Sequence, residues 1–326
     1  LSIRRQRQMC IRDSKKITAV RLQLALDTGT VMPPVRIRDN AQLPHLEYRV
    51  KVRGNPVATG QTKPGKLLAM DSGITTGKID GDQTREPAFG LDAWWIDPKL
   101  RSRAELLNYT VVEPVDVLST HLAEIVKKHA DELLTRDEVN NLLEQLKQKA
   151  PKLVEETIPG VLKPGELQKI LQNLLRERVS VRDLETILET VAEWGPKTKD
   201  LEVLTEYVRN ALRRGICQQY ASPSPTGLPK LVCVTLDPAF EDQISGFIDR
   251  GPAGTTLTMP ARLASRIAEH IVRGLTPVTN AGHPAVVIAS PPVRAVVRQL
   301  VEPHLSSIVV LGYNEIAVSY THLRAH

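Results

Sequence analysis

Apolar residues change their period along the chain, and each change marks a different kind of element. Ile17, Val20, Leu22, Leu24 and Leu26 fit a helix from Lys15 that closes at Asp27-Thr28-Gly29. Pro33-Pro34 then forces extended backbone. Val35-Arg36-Ile37-Arg38 alternates with period two into an Asp39-Asn40 turn, and Glu47–Arg53 alternates again through Tyr48, Val50 and Val52 before Gly54-Asn55-Pro56. Two paired strands are expected here. Residues 60–98 are rich in Gly, Pro, Asp and Thr, with short apolar pieces at Leu67–Met70 and Ala93–Ile96, and predict a β-rich insertion with long loops. A short helix over Pro98–Leu107 and a strand over Tyr109–Val112 follow, then a helix through Leu122, Ile125 and Val126 with Asp116 or Ser119 as its cap.

From Thr135 the spacing becomes densely helical. Thr135-Arg136-Asp137-Glu138 reads as a capping box ahead of Val139, Leu142, Leu143 and Leu146. Further helices fit Gly165–Arg178, Ser180–Trp194 and Asp200–Arg214. Residues 221–229, with three prolines and a glycine, form the best linker. Beyond it strand (231–236), helix (238–249), helix (260–273), strand (285–289), helix (292–302) and strand (307–311) alternate, which predicts an α/β layer with a short mixed sheet. The fold class is therefore α/β mixed with several subdomains: a small α+β part carrying the β-rich insertion, an all-helical part and a C-terminal α/β part.

With 326 residues the chain can bury a substantial core. It has no run approaching the ~18 apolar residues that cross a bilayer. Cys10, Cys217 and Cys233 are too scattered for a disulfide framework or a zinc cluster. The net charge of +6 suggests nucleic-acid binding until the ends are read. Met9–Asp13 can be encoded by a string whose reverse complement encodes Val318–His322. Such an inverted repeat resembles the adapters of a transposon-based sequencing library, so residues 1–14 and 318–326 are set aside as a translated artefact. They are expected to pack poorly against the rest. Without their five basic residues and one acidic residue, the net charge falls from +6 to +2. Arg182, Arg209, Arg213 and Arg214 are interleaved with acids, so the helical part offers no basic stripe to DNA.

Gly73-Ile74-Thr75-Thr76-Gly77-Lys78 invites a phosphate-loop reading and a nucleotide-dependent enzyme. It fails because three residues separate the glycines where four are needed, and Ile79 stands where Ser or Thr must bind magnesium. The histidines outside the two ends are dispersed, and His121 reads as a helix-face or capping residue. No catalytic, metal or cofactor constellation rises above background. Glu86-Pro87-Ala88-Phe89-Gly90-Leu91 stands out, because Phe89, Trp94 and Trp95 bring three aromatics into one segment of an aromatic-poor chain. They form either the insertion's own small core or an exposed anchor for a partner protein.

Pro34–Asn40, Glu86–Leu91, Thr120-His121-Leu122, Pro151–Glu156, Leu171–Leu175, Val181–Leu184, Leu204–Arg209 and Val310–Ile316 together resemble, in collinear order, the cytosolic domain of the FlhA/SctV export-gate family of flagellar and type III secretion systems. The likeness spans residues 15–316, and the form of the Glu86–Leu91 motif favours the flagellar branch. It implies a non-enzymatic platform with no cofactor, at the cytoplasmic face of the bacterial inner membrane and anchored there by an N-terminal half. It further implies four subdomains, at 15–66 with 113–133, 67–112, 134–216 and 217–316. The implied partners are export chaperone–substrate complexes, the export ATPase complex, other export-gate membrane proteins and further copies in a ring. The family's chaperone groove matches Glu86, Phe89 and Thr120, with Glu86 and Thr120 expected at its rim. Gly312 stands where Ser is common, which the resemblance treats as harmless.

Overall fold

Alternation over Tyr48, Val50 and Val52 builds strand β1 (Glu47–Val52), which pairs antiparallel with β2 (Asn55–Gln61) across Arg53 and Gly54. Both turn residues have positive φ, 49° and 88°, the sense of turn that follows the twist of paired strands. This corrects the sequence reading in two ways. Asn55 and Pro56 belong to the second strand rather than to the turn, and the partner of β1 is not residues 35–38. That segment joins no ladder. Ile37 is 65% exposed, so its alternation has no core to face.

The computed structural model describes residues 16–222, 230–251, 254–316 and 321–324. Two compact units divide the chain, residues 1–138 and 139–326. In the first, α1 (residues 16–28) and α3 (Pro114–Lys128) share a core of Ile17, Leu24, Met32, Leu122 and Val126. Strands β3 (Leu67–Met70), β4 (Asp82–Arg85), β5 (Asp92–Ile96) and β6 (Thr110–Val112) form an antiparallel sheet in the order β4-β5-β3-β6. Successive side chains on a strand face opposite ways, so the sheet has two apolar faces. Ala69, Trp94, Ile96 and Tyr109 pack with Ala104 of α2 (Arg101–Leu106), while Leu68, Ala93 and Trp95 pack with Val117 of α3. Helix α3 begins at Pro114 after Glu113, not at a cap from Asp116 or Ser119; the Ser119 hydroxyl donates back to the Val115 carbonyl at 2.7 Å. After α4 (Ala130–Leu133), Thr135 Oγ1 accepts the Glu138 N–H at 3.2 Å and opens α5 (Arg136–Lys147). The Glu138 carboxylate turns to the Val31 N–H at 3.1 Å instead of completing a capping box.

The second unit takes up α5 from Val139 and continues with α6 (Pro151–Thr157), α7 (Pro164–Arg176), α8 (Leu184–Trp194), α9 (Leu201–Ala211) and α10 (Arg213–Tyr220). Leu167, Ile170, Leu171, Leu174 and Leu175 make one buried stripe on α7. Asp183 and Asp200 cap α8 and α9 by accepting backbone N–H groups of the first turn. An α/β layer follows: β7 (Lys230–Thr235), α11 (Pro238–Ser245), the hairpin β8 (Ile248–Gly251) and β9 (Gly254–Leu257), α12 (Ala261–Asn280), β10 (Val286–Ala289), α13 (Pro291–Val301), β11 (Val309–Gly312) and β12 (Thr321–Arg324).

Three readings of this layer need correction. Helix α11 stops at Ser245 and the hairpin β8–β9 takes up residues assigned to its end. Helix α12 runs past residue 273 because Leu275 and Val278 continue the buried stripe of Ile267 and Ile271. The sheet, in the order β11-β10-β7-β12, is wholly parallel rather than mixed; the crossovers from β7 to β10 and from β10 to β11 pass through helices. Nor does the described part of the C-terminal segment that was set aside stand apart. The backbone of Thr321–Arg324 pairs with Lys230–Cys233, because the edge of β7 offers unmet donors and acceptors to any extended chain, whatever its side chains. The same expectation for residues 1–14 lies outside the described residues.

Candidate functional site

Strand β4 leads directly into the turn that carries the Glu-Pro-Ala-Phe-Gly-Leu motif. Glu86 is only 2% exposed. One of its carboxylate oxygens accepts the Ala88 N–H at 2.9 Å and the other accepts the Phe89 N–H at 2.6 Å. Its backbone closes the same turn, with Glu86 N–H donating to the Leu91 carbonyl at 2.8 Å and Gly90 N–H donating to the Glu86 carbonyl at 2.9 Å. Gly90 has φ of 71°, a conformation that Gly adopts without a Cβ penalty. Together these bonds fix the loop and leave Phe89 61% exposed and Leu91 36% exposed. The placement separates the three aromatics. Trp95 lies in the core at 2% exposure and Trp94 stacks edge-on to Tyr109 at 5.6 Å, whereas Phe89 belongs to no core. Glu86, expected at the rim of a groove, is instead the buried brace of the turn.

Thr120 is exposed on α3, beside buried His121. His121 Nδ1 and the Tyr48 hydroxyl share a hydrogen bond of 2.7 Å, with their rings edge to face at 5.7 Å. This bond ties α3 to the β1–β2 hairpin. Burial raises the Tyr48 phenol well above its ordinary value, and the nearby Glu86 charge adds to the rise. Burial also lowers the His121 imidazole, with Glu86 opposing it. Glu86 is thus the common electrostatic neighbour of Tyr48 and His121, the residue next to Thr120. Gly60 lies under the Tyr48 ring; a Cβ there would stand 2.4 Å from the ring's Cζ and hydroxyl. Thr59, Gly60 and Gln61 of β2 and Thr84, Arg85, Glu86 and Pro87 line a cleft of about 310 Å³ floored by Leu68 and Trp95. Tyr48 and Gly60 escaped the sequence reading. Only the alternation of β1 placed Tyr48 on a packed face.

Gly73–Lys78 lies in a loop that runs on to β4, with no helix N-terminus after it, and Ile74 is 68% exposed. Asp71 Oδ1 accepts the Gly73 N–H at 2.7 Å. The glycines serve a turn.

In the second unit a buried ion network joins the helical part to the α/β layer. Arg209 donates through Nε and Nη2 to the Glu315 carboxylate at 2.5 and 3.0 Å, and through Nη1 to Glu177 at 2.9 Å. Arg294 grips Glu177 at 2.6 and 2.9 Å and Glu206 at 2.8 and 2.5 Å. Glu315 also accepts the Gly312 N–H at 2.9 Å. A Cβ on Gly312 would meet Asn314 Oδ1 at 2.4 Å, the end of a side chain that can turn aside. Arg209, read as part of an interleaved charged surface, is fully enclosed. The available signal was Arg294 and Arg298, four apart inside the apolar run Val293–Val301.

A profile of the FHIPEP family matches residues 5–321. The chain belongs to the FHIPEP family. It is 40% identical over 301 residues to the flagellar biosynthesis protein FlhA of Bacillus subtilis, covering 92% of this chain and 44% of that protein. The FlhA protein of Salmonella typhimurium is 35% identical over 302 residues, covering 93% and 42%. The chain therefore spans less than half the length of these curated relatives. Among solved structures, Chlamydia pneumoniae CdsV superposes with a TM-score of 0.81 at 27% identity, over 95% of this chain and 88% of that one. The nonameric SctV-C of EPEC superposes at 0.78 and 22% identity, covering 96% and 93%, a likeness of fold. Both the family and the mixed α/β fold class read from the motifs are thus met.

Proposed function

We propose that this chain is the cytosolic docking platform of a flagellar-type protein export gate and acts by binding, without catalysis. Its site is the Phe89 turn with Thr120 nearby, and its ligands are export chaperone–substrate complexes. The observation that carries the reading is Phe89, a large apolar side chain held out in solvent by a turn whose brace is a buried carboxylate. Such a preorganised aromatic loses little entropy when a partner buries it. The flagellar assignment draws support from the 40% identity to a flagellar relative against 27% to CdsV. The rest of those relatives' length would supply the anchor in the bacterial inner membrane and the contacts with other gate proteins. Self-association into a ring draws support from the solved nonamer, and contact with a further partner protein from the solved CdsV–CdsO complex; contact with the export ATPase complex belongs to the same reading. On this reading the two units subdivide further, into the four parts expected from the resemblance.

Calorimetry of Phe89→Ala against a flagellar chaperone–cargo complex tests the assignment. At a hot spot the change should cost about 2 kcal/mol or more of binding, at least about thirtyfold in affinity. Because Phe89 is outside every core, its melting temperature should stay close to that of the parent chain. Unchanged affinity in the folded variant would sink the docking assignment.

A further inference from the structure

The cleft beside the Phe89 turn is lined by residues of two edge strands, β2 and β4, each with backbone groups left unpaired on its outer side. Hydrogen-bonded and non-hydrogen-bonded pairs alternate along an antiparallel ladder, so one bond in each ladder sets the parity of the rest. Thr62 N–H donates to the Leu46 carbonyl at 3.0 Å, next to the pair Glu47↔Gln61. Gly60 therefore bonds inward to Tyr48, and the N–H and C=O groups of Thr59 and Gln61 point away from β1. Glu86 N–H donates to Leu91, next to the pair Arg85↔Asp92. Thr84 accordingly bonds inward to Ala93, and the backbone groups of Gln83 and Arg85 point away from β5. Among the described residues, no hydrogen bond reaches these outward groups.

Exposed strand edges are usually blunted by proline, bulges or charge. Here the guards sit elsewhere: Pro56 and the bulge opposite Val50 and Lys51 lie at the turn end of the hairpin. Thr59–Gln61 has neither. Both ends of β4 carry side-chain contacts, Asp82 with Lys63 at 2.8 Å and Lys66 at 2.5 Å, and Glu86 within its own turn. The floor residues Leu68 and Trp95 are 0% and 2% exposed, so the cleft offers little apolar surface. What it offers is backbone donors and acceptors in strand spacing.

We infer that this cleft takes an extended polypeptide segment of the docked partner as an added strand, paired with the free edges of β2 and β4. The inference rests on the docking reading above and adds the mode of recognition. About three residues on each border match roughly 10 Å of extended chain. Recognition through main-chain hydrogen bonds tolerates varied side chains. Arg85, whose side chain is largely in solvent beside Asp92, tunes the preference without defining it.

Hydrogen exchange on the full chain, free and bound to a flagellar chaperone–cargo complex, tests this amide by amide. The outward N–H groups of Thr59, Gln61, Gln83 and Arg85 should exchange fast in the free protein and slow by about tenfold or more when bound. The inward N–H groups of Gly60 and Thr84 should be protected in both states. Arg85→Pro removes one outward donor and no ladder bond, so it should weaken binding by up to about tenfold. Arg85→Ala keeps that donor and should lose less affinity than Arg85→Pro. Should Arg85→Pro fail to fold, the exchange pattern of the parent chain decides. Phe89→Ala losing affinity while the outward amides stay unprotected would overturn the added strand and leave the docking reading standing. A complex that does not bind at all overturns both. Protection that rises with concentration of the chain alone would mean the edges pair with a second copy, and would overturn the inference too.

Discussion

Replacing Arg209 by Met should cripple the second unit, and replacing its partner as well should restore much of the loss. Arg209 makes three charge-assisted bonds, two to Glu315 and one to Glu177. Glu315 is 1% exposed, and among the described residues its carboxylate would keep only the Gly312 N–H without Arg209. Breaking a buried ion pair from one side costs about 3–5 kcal/mol, because the remaining charge is left enclosed. That is a large share of the roughly 5–15 kcal/mol by which a domain is stable. Arg209→Met combined with Glu315→Gln removes the stranded charge and keeps an acceptor for Gly312. The double variant should therefore be more stable than Arg209→Met alone, with a coupling of about 2 kcal/mol or more. Hydrogen exchange of the core amides of α7 and α9 reads the stability of this unit by itself. A loss below about 1 kcal/mol in the single variant, or simple additivity in the double, would refute the reasoning.

Acid should find the same network. Burial alone would raise the Glu177 carboxyl, but Arg209 and Arg294 outweigh it and hold it at about 2, against an ordinary 4.5. The unfolded chain then binds the proton more readily, so the stabilisation is complete above about pH 4.5 and is lost as pH falls through about 2. Its size is about 3 kcal/mol, and Glu177→Gln should flatten that part of the pH–stability curve; an unaltered curve would mean that Glu177 carries none of it. At Gly60, an added Cβ meets the Tyr48 ring at 2.4 Å. Gly60→Ala should destabilise the first unit by about 1–3 kcal/mol in a thermal melt, and a neutral result would show that the ring moves aside freely.

Much of this fold is legible in local pattern. The stripe of α7 and the Asp caps of α8 and α9 lie within one or two turns of their own helices, so period and capping residue suffice to find them. Collinear motifs likewise place the chain in its family, since each is a short string. Composition also marks Glu86–Leu91 as unusual among so few aromatics. Which of those aromatics is core and which faces solvent does not follow from their order.

That choice belongs to the tertiary structure, for a reason the distances make plain. Tyr48 and His121 are 73 residues apart, and Arg209 and Glu315 are 106 apart. A periodic pattern says that a residue has an apolar side; it does not say what will stand against that side. Residues 35–38 alternate well and form no strand, because no core meets Ile37. The C-terminal strands show their hydrophobicity in sequence, yet their parallel direction depends on how the intervening helices cross. Glu86 reads as a rim charge until the fold encloses it, and then the Ala88 and Phe89 N–H groups satisfy its two oxygens. The motif's letters specify the turn, and the packing around Glu86 decides that the turn holds Phe89 outward.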